Sequence, residues 1–332
     1  MHWKFKGLLQ ALLARLPGGM ALNDLLQQWA GGRRDARQHI SDKFEGDWLV
    51  LMGMLGELGF AVRGRDLLEI GTGWAPALPL CFALAGARRV HCFDLHRHLV
   101  DKQVRATLAH LEPHLAALAA AAGEPEAVVR QRHARLMAAG NTAQLLQCAG
   151  IVYHAPADAT ATGLPDASVA LVFSNSVLEH VHSAVLGPLM REAARLLAPD
   201  GLVVHSVNCG DHYAYFDRRI TPINYLRFSA RQWRLWNNTL LFQNRLRPPD
   251  FTRAATQAGL TIASQMQTVR TELMPLLTQW PVAAEFSAYT AQDLCTTSVT
   301  FAARRPPSLA HLSPDLSPHA TPHHAPDQPA LP

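Results

Sequence analysis

The chain has 332 residues, of which 48% are hydrophobic and 17% charged, and a formal net charge of +4. This length suits two domains or one large decorated one, at about 150 residues per domain, and the balance excludes an acidic, highly charged disordered chain. So small a net charge does not by itself mark a nucleic-acid binder.

The chain opens with basic Met1–Lys6 and an apolar run, Gly7–Leu16, that Gln10 and Arg15 interrupt. Those interruptions argue against a signal peptide, and no later stretch reaches the roughly 18 uncharged residues of a membrane span. A soluble protein with an amphipathic first helix is expected. That helix packs on its own domain or, alternatively, rests on a membrane surface. From about 36 to 58, Phe44, Trp48, Leu51 or Met52, Leu55 and Leu58 recur at helical spacing before Gly59, so the first sixty residues read as helical.

Asp66–Ile70 is a short apolar strand that breaks at Gly71-Thr72-Gly73, and Pro76 then opens a helix through Phe82. A second strand spans 89–94, and an alanine- and leucine-rich helical stretch covers about 97 to 149. Strands resume at 151–154, 169–173 and 202–206, with a helix from Val177 to Leu197. Strands alternating with helices imply a parallel α/β sheet. Segments 260–264 and 296–301 read as two further strands, and the Pro275–Pro281 segment between them has no clear periodicity. From Pro306 the composition turns to proline, histidine, serine and alanine, which supplies no core and predicts a disordered tail. Its His311, His319, His323 and His324 offer weak metal affinity at most, and no structural metal site is expected. Cys81, Cys92, Cys148, Cys209 and Cys295 form no CxxC pair, so neither a disulfide framework nor a zinc knuckle follows and a reducing, cytoplasmic compartment is expected.

The glycine turn sits where an open α/β sheet places its ligand, at the end of the first strand and the start of the next helix. A nicotinamide dinucleotide needs G-x-G-x-x-G, and the third position is Pro76, which has no N–H to offer a pyrophosphate. Glu69-Ile-Gly-Thr-Gly-Trp-Ala, followed by Asp94 at the end of the second strand, instead resembles the class I S-adenosylmethionine-dependent methyltransferases, of the methyltransferase type 11-like kind. Ala75 stands where that family has its last glycine, and Ala170 where it has an aspartate.

The resemblance implies a Rossmann-like α/β fold, a seven-stranded mostly parallel sheet with helices on both faces. With the helical periodicity and the tail composition above, the chain divides into a helical N-terminal extension or lid (1–59), a methyltransferase domain (60–304) with an acceptor-side insertion at about 208–250, and the tail (305–332). The resemblance assigns S-adenosyl-L-methionine as cofactor. Glu69, Gly71, Thr72, Gly73 and Trp74 would lie along its amino-acid end, and Asp94 and Leu95 would take the ribose, a carboxylate being suited to two vicinal hydroxyls. Asp158-Ala159 would meet the adenine, and Ser174, Asn175 and His180 the methyl-transfer end.

Between residues 211 and 247 stand seven arginines (Arg218, Arg219, Arg227, Arg231, Arg234, Arg245, Arg247) against two aspartates, a local charge of +5. Tyr213, Tyr215, Phe216, Tyr225, Phe228, Trp233, Trp236 and Phe242 are interleaved with them. Arginine forks recognise phosphate or carboxylate and aromatic faces stack on rings, so the insertion predicts an anionic-acceptor pocket. The alternative is a helical cap with a core of aromatics and solvated charges. His212 is the candidate general base, with Asp211 to orient it and Tyr213 to shape the pocket. His205, within a strand, reads as a core histidine. The expected reaction is O-methylation of a small-molecule or glycan-linked acceptor. The alternatives are an RNA methyltransferase, a non-catalytic S-adenosylmethionine-binding module, and an NAD-linked oxidoreductase.

Overall fold

Residues alternate between the two faces of a strand, and the apolar residues of the central strands supply both faces with core. Leu67, Leu171, Phe173, Leu202 and Val204 point to one side, Leu68, Val172, Val203 and Val207 to the other. The computed structural model describes residues 2–16 and 36–306. Its strands are β1 (Asp66–Ile70), β2 (Arg89–Phe93), β3 (Ile151–His154), β4 (Val169–Asn175), β5 (Leu197–Asn208), β6 (Thr261–Val269) and β7 (Thr296–Arg304). They form one seven-stranded sheet in the order β3-β2-β1-β4-β5-β7-β6. Strands β1 to β5 pair in parallel, and β7 runs antiparallel to β5 and β6. The order reverses between β1 and β4, so the carboxyl ends of these two strands frame the ligand crevice.

One face is covered by Ala77–Leu84, by the helices between 101 and 148, and by the helical run from Ala36 to Glu57. The other is covered by Ser183–Leu196 and Pro248–Gln257. Within the 36–57 run, Lys43–Trp48 adopts a π-helical turn. Phe44 and Trp48 are buried there and stacked at 5.5 Å, with Trp48 edge-on to Phe82.

A third core joins the two ends of the chain. Trp3, on the helix Trp3–Leu13, packs on Tyr213, Phe228 and Trp236 with centroids 5.3–5.6 Å apart. The Trp3 N–H donates to Asp217 Oδ2 at 3.0 Å. The first helix thus packs on its own domain, although Phe5, Leu8 and Leu12 on its outer side are exposed. Among the described residues no helix is long and apolar enough to cross a membrane. The uncertain 275–281 segment forms short turns whose neighbours Leu273 and Phe286 enter this third core.

Two expectations need correction. The helix expected from Val177 begins only at Ser183, after a 3-10 turn at Leu178–His180. Asn244 Nδ2 donates to the carbonyls of Leu178 and Val181 at 2.6 and 2.8 Å, which occupies acceptors a continuous helix would need. Strands β5, β6 and β7 also run longer than expected, β5 from Leu197 to Asn208, β6 on through Gln265–Val269 and β7 on through Ala302–Arg304, because the antiparallel ladders of β7 with β5 and β6 carry the pairing past the apolar runs. All five cysteines are free. Part of the expected helical extension, residues 17–35, and the expected tail, residues 307–332 with its four histidines, lie outside the described residues.

Candidate active site

After β1 the chain turns through Gly71 at φ +78° and Gly73 at φ +67°. Glycine takes this conformation without strain, and a Cβ on Gly71 would come within 2.5 Å of the Val177 side chain. Thr72 Oγ1 donates to Glu69 Oε2 at 2.6 Å and ties the turn to the strand it leaves. Glu69 is buried, and that burial pushes its carboxyl up to about 8. Asp94 follows β2 on the neighbouring strand. The Gly73 N–H and the Tyr153 hydroxyl each donate to its Oδ2 at 3.2 Å, while Oδ1 accepts nothing. Burial holds this carboxyl above its ordinary value, opposed by the Gly73 amide.

Trp74 and Leu95 rim the turn, 54% and 66% exposed. Trp74 packs on His98. Asp158 is exposed and accepts from the Thr160 N–H at 2.8 Å, with Ala159 partly covered beside it.

Past the tip of β4 opens a cleft of about 770 Å³. One wall is the π-helical turn with Gly46, Asp47, Val50 and Leu51; the floor is Ser174, Asn175, Ser206 and Asn208; the far side carries Tyr215, Arg218, Thr268, Arg270 and Ser298. Asn175 Nδ2 donates to Asp47 Oδ2 at 2.8 Å, and Lys43 pairs with the same carboxylate at 3.0 Å. Ser174 Oγ lies 2.7 Å from His205 Nδ1. Complete burial lowers His205 to about 3, so it is the neutral core histidine expected.

His212 lies immediately past this cleft's Asp211, with its ring against His180 at 5.1 Å and Tyr215 at 5.7 Å. Burial, with His180 adding to it, lowers its imidazole to about 4. A family model described as a methyltransferase domain matches residues 46–265, most of the chain.

The chain belongs to this methyltransferase family.

As a methyltransferase it is an enzyme. Several solved structures are similar to this chain at low identity. An S-adenosylmethionine-dependent methyltransferase from Mesorhizobium loti is 19% identical, with 78% of this chain and 97% of that one covered and a TM-score of 0.41. A geranyl diphosphate methyltransferase in complex with S-adenosylmethionine is 14% identical, with 83% and 93% covered and a TM-score of 0.44. A Haloferax volcanii putative methyltransferase, complexed with the Trm112 methyltransferase activator, is 16% identical, with 81% and 94% covered and a TM-score of 0.41. No curated protein matches the sequence.

The methyltransferase does not assemble its expected catalytic trio. Asp211 is not hydrogen-bonded to His212: its carboxylate accepts from the Tyr213 N–H and from Asn224 Nδ2, both at 2.9 Å. Tyr213 does not shape the pocket. It is 2% exposed within the third core and its hydroxyl donates to the Trp236 carbonyl. Tyr215, two residues on, lines the cleft in its place.

The arginines of the insertion are mostly engaged elsewhere. Arg247 is wholly buried and donates to the carbonyls of Cys209, Asp293, Leu294 and Thr296. Arg245 binds Glu285 and the carbonyls of Tyr225 and Phe228, Arg219 pairs with Asp217, and Arg227 lies over Trp280. Only Arg218 of the seven lines the cleft. Of the eight aromatics, only Tyr215 and Phe216 are exposed, which removes the stacking platform an RNA reading needs. Sequence reasoning also missed Asp47, Tyr153 and Arg270. Tyr153 and Asp47 act across strands and elements, where spacing along the chain gives no signal.

Proposed function

We propose that this methyltransferase O-methylates a polar, hydroxyl-bearing small-molecule or glycan-linked acceptor seated in the cleft beyond β4. One observation carries the reading: the cleft is floored and walled by uncharged hydrogen-bonding side chains, Ser174, Asn175, Ser176, Ser206, Asn208, Thr268, Thr297, Ser298 and Thr300. Such a lining matches hydroxyl groups, which both donate and accept. Its charged residues are Asp47, Asp211, Arg218 and Arg270, and all but Arg218 have partners. Arg218 therefore suits one phosphate or carboxylate on the acceptor.

The cofactor end fits S-adenosylmethionine. A Cβ on Gly73 would meet nothing within 4 Å, which leaves the turn open to a ligand, and the free Asp94 Oδ1 is available to a ribose hydroxyl. Gly71, Thr72, Gly73 and Trp74 would hold the amino-acid end, with Glu69 a positioning residue acting through Thr72. Asp94 and Leu95 would hold the ribose, Asp158 and Ala159 the adenine, and Ser174, Asn175 and His180 would face the methyl group. Residues 1–59 would serve as a lid on the domain 60–304, since Gly46 to Leu51 already form one wall of the cleft.

Bound there, the cofactor supplies an electrophilic methyl carbon on a sulfonium. The acceptor oxygen forms the new O–C bond while the C–S bond breaks and its electron pair returns to sulfur. The protein has chiefly to align the two in line and exclude water. His212, kept neutral by burial, does not itself line the cleft and would serve as base only to an acceptor oxygen that reaches past Asp211.

The test is methyl transfer from radiolabelled S-adenosylmethionine to a panel of sugars, sugar phosphates and uncharged polyols. Arg218→Ala should raise KM for anionic acceptors about tenfold with kcat preserved, the loss of roughly one charge-assisted hydrogen bond. Labelling of RNA but of no hydroxyl compound would reject the reading.

A further inference from the structure

We infer that Glu179, His180 and His212 form a binding site for a divalent transition-metal ion, of the zinc class, beside the acceptor cleft. Each offers one ligand atom, and the three atoms lie within 4.8 Å of one another. Two imidazoles and one carboxylate with open positions are a ligand set that first-row divalent ions take, zinc foremost among the redox-inert ones. Ligands at zinc distance stand about 3.3 Å apart, so small side-chain rotations close the set.

Three independent features point at an ion. Glu179 is 1% exposed, yet neither carboxylate oxygen has a side-chain partner or a well-formed hydrogen bond, only the Glu179 and Asn208 backbone amides lying near. A buried carboxylate without a counter-charge is costly. His212 Nε2 is likewise buried and unpartnered. His180 Nδ1 lies 2.6 Å from the Phe242 carbonyl, which can only accept, so Nδ1 carries the proton and Nε2 keeps its lone pair. That arrangement, one ring nitrogen donating to a carbonyl and the other free, is how metal-ligating histidines are oriented.

The surroundings hold the trio in place. Three consecutive residues of the insertion reach all three ligands. Phe242 takes the His180 proton, Gln243 Oε1 accepts from the His212 backbone N–H at 3.1 Å, and Asn244 ties down the turn that carries Glu179. Exposed His180 leaves a path for ion entry. The cleft residues Asn208, Gly210 and Asp211 lie just ahead of His212 in the chain. Because the family resemblance gave no role to Glu179 and the sequence led to no expectation of metal, this site amends that reading. Its role, polarising the acceptor hydroxyl as a Lewis acid in place of His212 as base, rests on the hydroxyl acceptor proposed above. The binding itself does not.

The test titrates the purified full-length chain, stripped with chelator, with zinc and with cobalt(II), read by calorimetry and by the cobalt absorption bands. Wild type should bind one equivalent more than Glu179→Gln and than His212→Asn, and His180→Asn, an exposed substitution that spares the core, should weaken binding at least about 100-fold. Any ion held by the terminal histidines persists in all variants and cancels. Equal binding by wild type and His180→Asn, or no binding by wild type, would overturn the inference. Chelator-stripped and zinc-loaded wild type should bind S-adenosylmethionine alike, so a failed metal site leaves the methyl-transfer reading intact. Conversely, failure of every hydroxyl acceptor would leave metal binding standing.

Discussion

Asp94, just past β2, and Arg247, at the start of the helix Pro248–Gln257, are both buried charges, and they end in opposite states. Asp94 accepts two hydrogen bonds on one oxygen and keeps the other open. Arg247 uses all of its nitrogens on backbone carbonyls and the Tyr225 hydroxyl, with no surface left to a ligand. A buried charge whose bonding capacity is exhausted by its own chain holds structure together, whereas one with capacity left over is prepared for a ligand. The difference separates the cofactor end of the molecule from most of the arginine-rich cap.

The sharpest way to break that contrast is Arg247→Met. Taking a donor from four carbonyls and the Tyr225 hydroxyl should cost about 3–5 kcal/mol in chemical denaturation, with cofactor affinity per folded molecule unchanged. A near-wild-type midpoint would mean the cap does not depend on this charge. Asp94→Ala should do the reverse, weakening S-adenosylmethionine binding by about 2–3 kcal/mol in calorimetry while moving the melting temperature little.

Glu69 sharpens the contrast through pH. Its folded-state carboxyl, lifted to about 8 by burial, lies above the ordinary 4.5. The fold therefore favours the protonated form, and the stability this contributes is complete below 4.5 and lost as pH rises to about 8. Wild type should lose stability relative to Glu69→Gln between pH 5 and 8.5; parallel curves would place the carboxyl at its ordinary value. The smallest effect belongs to Arg231→Ala, an exposed cap arginine, expected to stay within about 0.5 kcal/mol of wild type.

The cofactor end was legible because its parts are local. Gly71 and Gly73 follow β1 directly, and Asp94 follows β2 directly, so a strand followed by a turn places them without knowledge of the rest. The cap was less so. Composition shows that Arg245 and Arg247 are cationic but not that backbone carbonyls wait for them 17 to 49 residues away, a fact of tertiary packing. The same limit applies to Tyr213 and Tyr215, which differ by two positions and stand on opposite sides of a 3-10 turn, one in the core and one at the cleft. Asp211 was misjudged for a related reason. A carboxylate beside a histidine in sequence suggests a pair, yet this one caps the turn that begins there.

The bond between the Trp3 amide and Asp217 spans 214 positions of chain. Closing so long a loop is entropically slow and its reward comes late. The sheet and its flanking helices can assemble from shorter-range pairings, but the aromatic core of the cap is completed only when the first helix arrives. During synthesis the opening residues are made first and must wait for the cap residues, through position 236, that receive Trp3.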